Sequence, residues 1–126
     1  MIARRVKINI GDISIQAILD SSSMADTIWE NLPLSGEASI WGDEIYFGTD
    51  ISVVAHTNAS DVVQSGELAY WPPGRAFCIF FGTTPVSIAN ESRAASPVNV
   101  FGKVDGDEQI FRNVSDGILV EIAAVE

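Results

Sequence analysis

Three short stretches carry the side chains from which a site could be built. The first is Trp41-Gly42-Asp43-Glu44-Ile45-Tyr46-Phe47. In a strand successive side chains alternate, so Glu44 and Tyr46 share one face and Ile45 and Phe47 the other. With the apolar pair turned to a core, Glu44 and Tyr46 face either solvent or a groove. A carboxyl in a groove does chemistry when burial shifts its pKa; on an open surface it is a solvated charge.

The second stretch is Ala69-Tyr70-Trp71-Pro72-Pro73-Gly74-Arg75. Each proline fixes its own φ and restrains the residue before it, and Gly74 is free to take φ > 0. One of these X-Pro bonds is a candidate for the cis form. The result is a rigid aromatic corner, either packed on a rim or lining a ligand, with Arg75 leading into the next strand. The third stretch pairs Phe80-Phe81-Gly82-Thr83-Thr84-Pro85 with Ser96-Pro97-Val98-Asn99. Asn99 could hydrogen-bond a ligand, or satisfy the backbone of a neighbouring loop. The candidate ligand-binding set is therefore Glu44, Tyr46, Tyr70, Trp71, Arg75 and Asn99.

Other chemistries are poorly supplied. His56 is the one histidine and Cys78 the one cysteine, so a multi-histidine zinc site is excluded and no metal site is expected. Cys78 lies in the apolar run Ala76-Phe77-Cys78-Ile79-Phe80-Phe81 and reads as a buried small hydrophobe with no base close in sequence. His56 reads as a loop or strand residue. The Gly-Thr-Thr-Pro loop lacks the Gly-Lys-Ser/Thr ending of a phosphate cradle. Neither a Gly-x-Ser-x-Gly elbow nor a Gly-x-Gly-x-x-Gly turn occurs, so no cofactor is expected.

The elements that must position these residues are mostly strands. Val6, Ile8 and Ile10 alternate with polar neighbours, as do Ile13, Ile15 and Ala17. The Gly11-Asp12 pair between them predicts a hairpin. Met24, Ile28 and Leu32 follow at helical spacing after a serine run, with Ser23 and Asp26 placed as a capping box, and Pro33 stops the pattern. This predicts one helix over 23–31. Further strands are expected over 37–41, 44–47, 66–71, 75–81, 97–104 and 117–125. A weak strand or irregular stretch is expected over 51–55, a loop over 58–61, and one helical turn or more over 107–113. The tally is about eight strands with one or two short helices, a barrel-like count.

Size and charge narrow the partners. A chain of 126 residues favours one domain, 1–126. The net charge is −10, and no Lys or Arg lies between Lys7 and Arg75, a gap holding ten Asp and Glu residues. Binding nucleic acid requires cations to neutralise phosphates, and an anionic membrane surface asks the same; neither partner is expected. No stretch approaches the ~20 apolar residues of a span, and the N-terminal segment lacks a signal-peptide core. A cytoplasmic protein is the expectation.

Taken together, Trp41-Gly-Asp-Glu-Ile-Tyr-Phe47, Tyr70-Trp-Pro-Pro-Gly74, Phe80-Phe-Gly82 with Pro85, and Ser96-Pro-Val-Asn-Val100 resemble the small prokaryotic cyclophilin-like domain family of unknown function. The resemblance runs from the first hairpin to the last strand. It implies a mostly β fold, a closed eight-stranded cyclophilin-like barrel with one or two short helices at its ends. Cyclophilins catalyse prolyl isomerisation with an arginine inside a Phe-His-Arg type strand. This sequence has no such segment, and neither Arg75 nor Arg93 matches that position, so the catalytic set is not carried over. The leading expectation is a binding module whose aromatic-rich cleft takes a small molecule or an extended peptide. The alternatives are a prolyl isomerase using Arg75, and an interaction or assembly protein.

Overall fold

Alternation of apolar and polar side chains along the first twenty residues resolves into two paired strands, β1 (Arg5–Ile10) and β2 (Ile13–Leu19). Val6 sits opposite Ala17 and Ile8 opposite Ile15, and the apolar members turn to the core. This is a computed structural model that describes residues 3–125. The helix α1 (Ser23–Glu30) follows, and buries Met24, Ala25 and Ile28 on the same core. Its cap is Ser22 rather than Ser23: the Ser22 Oγ accepts from the Ala25 amide at 3.1 Å. That choice satisfies one of the free amides of the first turn.

The remaining strands are β3 (Leu34–Glu37), β4 (Ser39–Ile40), β5 (Glu44–Gly48), β6 (Ser60–Val63), β7 (Glu67–Trp71), β8 (Ala76–Phe80), β9 (Ser92–Asp105) and β10 (Leu119–Ala124). They lie in the order β3-β10-β1-β2-β9-β7-β8-β5-β4, with β6 paired to β9. The chain is thus mostly β, as expected. The strand count is ten, not eight, for two reasons. The run expected as one strand over 37–41 breaks at Ala38, whose amide donates to Ile118 O and whose carbonyl accepts from Gly117 N. The expected loop over 58–61 instead starts β6, which pairs with the first part of β9 through an irregular register. Among the described residues the ladder runs from β3 to β4 without pairing those two ends, so its hydrogen bonds do not form a closed ring. The stretch after β5 is irregular, and two 3₁₀ turns occupy Pro72–Gly74 and Glu108–Asn113.

The sheet has two buried faces. The inner face, with α1, holds Ile8, Phe47, Leu68, Phe77, Phe101 and Ile122 among others. Phe47 stacks on Phe77 at 5.2 Å, and Phe77 meets Phe101 edge-on. On the outer face a smaller cluster of Val63, Ala69, Ala76, Cys78, Phe80, Ala94 and Val98 packs together. That explains why β8 is buried at every position. No helix among the described residues is long and apolar enough to cross a membrane.

Candidate functional site

The outer face of β5, β8 and β7 becomes a cleft because of where the β4–β5 turn places two residues. Trp41 and Glu44 exchange backbone hydrogen bonds of 2.9 and 3.2 Å around Gly42-Asp43. Residues paired this way present their side chains on one side of the hairpin. Gly42 takes φ +60°, a conformation that favours glycine. The turn is pinned by Asp43 N donating to Thr83 O, Phe81 N donating to Asp43 O, and an Asp43–Arg112 ion pair at 2.9 Å.

Register adds the next two walls. Tyr46 lies opposite Cys78, which lies opposite Ala69, while Trp71 lies opposite Ala76. Glu44, Tyr46, Cys78 and Trp71 therefore share the outer side of the sheet. The indole of Trp71 is fixed at both ends. Its Nε1 donates to Ser96 Oγ at 2.7 Å, and a Cβ on Gly74 would lie 2.7 Å from ring atoms Cε3 and Cζ3. Gly74 thus serves close packing, and the residue with positive φ is Arg75, at +49°. The cis peptide is Leu32–Pro33, not a bond of the Pro72-Pro73 corner.

The resulting cleft has a volume of about 230 Å³ and is lined by Trp41, Glu44, Tyr46, Trp71, Ala94 and Ala95. Three aromatic side chains and two alanines surround one carboxyl. Glu44 is only 5 % exposed. Loss of water around it pushes its pKa from 4.5 to about 7, and the neighbouring Cys78 thiol pulls back against that rise. Burial and the neighbouring carboxylate in turn push the Cys78 thiol well above its usual range. Cys78 is thus the buried small side chain expected, with its proton held in place, and it is not a poised nucleophile.

The six candidate residues do not all meet. Glu44, Tyr46 and Trp71 come together. Tyr70 alternates with Trp71 and faces the inner core, where its hydroxyl donates to Ile51 O at 2.6 Å. Asn99, opposite Tyr70 in the β7–β9 ladder, is buried too. Its Oδ1 accepts from the His56 amide at 2.9 Å and its Nδ2 donates to Asn58 Oδ1, so it anchors the 56–58 loop. Arg75 is exposed beyond the Pro-Pro-Gly turn and does not line the cleft. The lining residues outside the expected set are Trp41, Ala94 and Ala95. The Gly42-Asp43 turn was the signal for Trp41, since a two-residue hairpin pairs Trp41 with Glu44. The alanines carry no such signal; their small side chains leave the space open.

Among the described residues, no group of three or more His, Cys, Asp or Glu is placed to hold a metal ion. A family model described as Cyclophilin-like matches residues 4–123. The solution structure of the hypothetical protein AF2241 from Archaeoglobus fulgidus is similar, with a TM-score of 0.81 and 35 % identity over 98 % of this chain and 95 % of that one. No curated protein matches.

Proposed function

Since the chain belongs to the cyclophilin-like family, whose fold supplies a scaffold and not an activity, we propose that it is a binding module that takes a small molecule in the outer-face cleft. The observation that carries this reading is the placement of Glu44. A carboxyl buried to 5 % exposure opens onto a cleft walled by Trp41, Tyr46 and Trp71. Concave, mostly apolar sites with a few placed polar groups are the usual form of small-molecule sites. Aromatic walls give contact area, and a single polar group gives orientation.

Binding is favoured over catalysis by what surrounds Glu44. A carboxyl titrating near neutrality suits general acid–base work. A reaction would also need a nucleophile or a second charged group to stabilise developing charge. The other lining side chains are two indoles, a phenol and two methyl groups. The isomerase alternative required Arg75 beside Tyr46 and Tyr70. Arg75 lies outside the cleft lining, and Tyr70 is on the other side of the sheet.

The test is a fragment screen read by the indole N–H resonances of the protein. Fragments that bind in the cleft shift the Trp41 and Trp71 signals. Trp71→Ala abolishes their binding while the melting transition stays cooperative. Fragments that bind Trp71→Ala as tightly as the native chain would place the site elsewhere.

A further inference from the structure

Resting on the reading of this cleft as a ligand site, we propose that its ligand is a fully N-methylated ammonium group, held by the faces of Trp41, Tyr46 and Trp71 with the Glu44 carboxylate as its counter-charge. The lining contains one acid and no base. Arg75 lies exposed outside the lining, and two further arginines near the site are already engaged. Arg93, beside Ala94, pairs with Asp61 at 2.6 Å and with Glu91, and Arg112 pairs with Asp43 at 2.9 Å. Among the described residues Glu44 thus has no ion-pair partner, and the Cys78 thiol on its side of the sheet is neutral. A buried carboxylate gains most from a cation brought into the same dry space.

Cation and wall chemistry agree. The face of an aromatic ring attracts a cation, tryptophan most strongly, and quaternary ammonium groups are recognised by such cages. A primary ammonium carries three N–H donors, each needing an acceptor. Among the lining side chains only the Glu44 carboxyl and the Tyr46 hydroxyl accept, since an indole only donates. A methylated cation has no N–H to leave unsatisfied, and its methyl groups fit the rings and the alanines. At about 230 Å³ the cleft falls below the ~300–1,000 Å³ of sites for drug-sized ligands, which suits a headgroup. The net charge of −10 draws cations toward the surface.

Protonation of Glu44 competes with such a ligand. Two titratable side chains share its side of the sheet: Cys78 from β8 and Tyr46 from β5 itself. β7 contributes Ala69 and Trp71 there. From β9 come Ala94 and Ala95, with Arg93 turned to its own acids. Asp43, the preceding residue, is paired with Arg112. Binding a permanent cation then requires the carboxylate, and releases a proton from that fraction of molecules in which Glu44 is protonated.

The experiment titrates three probes into the native chain and into Glu44→Gln, reading the indole resonances at pH 6 and pH 8. The probes are choline, its neutral isostere 3,3-dimethylbutan-1-ol, and a short peptide bearing one trimethyl-lysine. Choline should bind the native chain at least tenfold more tightly than the alcohol at pH 8. Its affinity should rise about tenfold from pH 6 to pH 8, following the ionised fraction of a carboxyl with a pKa of about 7. Glu44→Gln should lose both the preference and the pH dependence. Tighter binding of the peptide than of choline assigns the group to a modified peptide, and the reverse to a free metabolite; either outcome supports the cation. If the alcohol binds as well as choline, or Glu44→Gln keeps the preference, the cation assignment is overturned while the cleft stands as an apolar site. If no probe shifts the indoles, the assignment also falls, and the fragment screen decides the cleft by itself.

Discussion

The thiol of Cys78 sits on the same face of the sheet as the carboxyl of Glu44, two residue pairs along the β5–β8 ladder. Tyr46 lies opposite Cys78 and Glu44 opposite Phe80, so the two groups are diagonal neighbours, and the Sγ itself lies 3.8 Å from Ala76 O. Their proximity acts on the two groups in opposite directions. It eases the charge on Glu44 and makes the Cys78 proton harder to remove. The pair therefore behaves as a carboxyl tuned to neutral pH beside a thiol that stays protonated.

Removing the thiol should move the carboxyl. In Cys78→Ala the polar thiol beside the carboxyl is gone and burial alone acts, so the Glu44 titration midpoint should climb above about 7. A carboxyl carbon-13 titration reads this directly. A midpoint that stays or falls would show that the thiol does not hold the carboxylate. In the native chain Cys78 should react with iodoacetamide far more slowly at pH 8 than it does in urea.

Stability should fall with rising pH through Glu44. Its folded pKa, about 7, lies above the unfolded value of 4.5, so the folded state binds the proton more tightly. The contribution is complete below pH 4.5 and is lost as pH rises through 7. The span amounts to about 3 kcal/mol for this one buried group. Glu44→Gln should be more stable than the native chain at pH 8 and gain little at pH 4.5. Melting curves at the two pH values check it, and an equal difference at both would refute it.

Gly74→Ala should disturb the cleft from below. Its new Cβ would meet the Trp71 ring at 2.7 Å, a contact that forces the indole to move. Overpacking of this kind costs about 1–3 kcal/mol. The Trp71 indole N–H signal should shift as its bond to Ser96 Oγ is lost, and cleft ligands should weaken. An unmoved signal would mean that the ring is not seated on the glycine.

Tyr70→Phe and Asn99→Ala should damage the fold without touching the cleft. Each leaves a backbone partner unpaired: the buried Ile51 O in the first case, the half-buried His56 amide in the second. The cost is about 1–3 kcal/mol each in thermal or urea unfolding. Arg75→Gly should instead gain up to about 1 kcal/mol by relieving a left-handed residue. None of the three should alter fragment binding by more than the error of the titration; a large loss in any of them would bring that residue back to the site.

The sequence showed the strand periods clearly and the site only by halves. Period two placed Glu44 with Tyr46 correctly, because those residues belong to one strand. It could also have separated Tyr70 from Trp71, which alternate, but their adjacency before Pro72 suggested a single aromatic corner. Asn99 follows Tyr70 to the inner face through a cross-strand register that no local pattern reveals. Arg75 was drawn toward the cleft by chemistry, whereas its left-handed backbone carries it past the turn into solvent. Ala94 and Ala95 were silent because they matter by being small. The break at Ala38 was likewise hidden, since its cause lies in the turn before β10, far along the chain.

The two-residue β4 also decides how this molecule meets other chains. A free sheet margin is a template onto which a foreign strand can add, and exposed margins of this kind seed fibres. Here the margin is too short to template much, and one of its amides is already spoken for: Ile40 N donates to the Asp116 side chain at 2.9 Å. With Ala38 bonded on both sides to the turn before β10, the β4 side of the seam that keeps the ladder from closing into a ring leaves a foreign strand little to pair with.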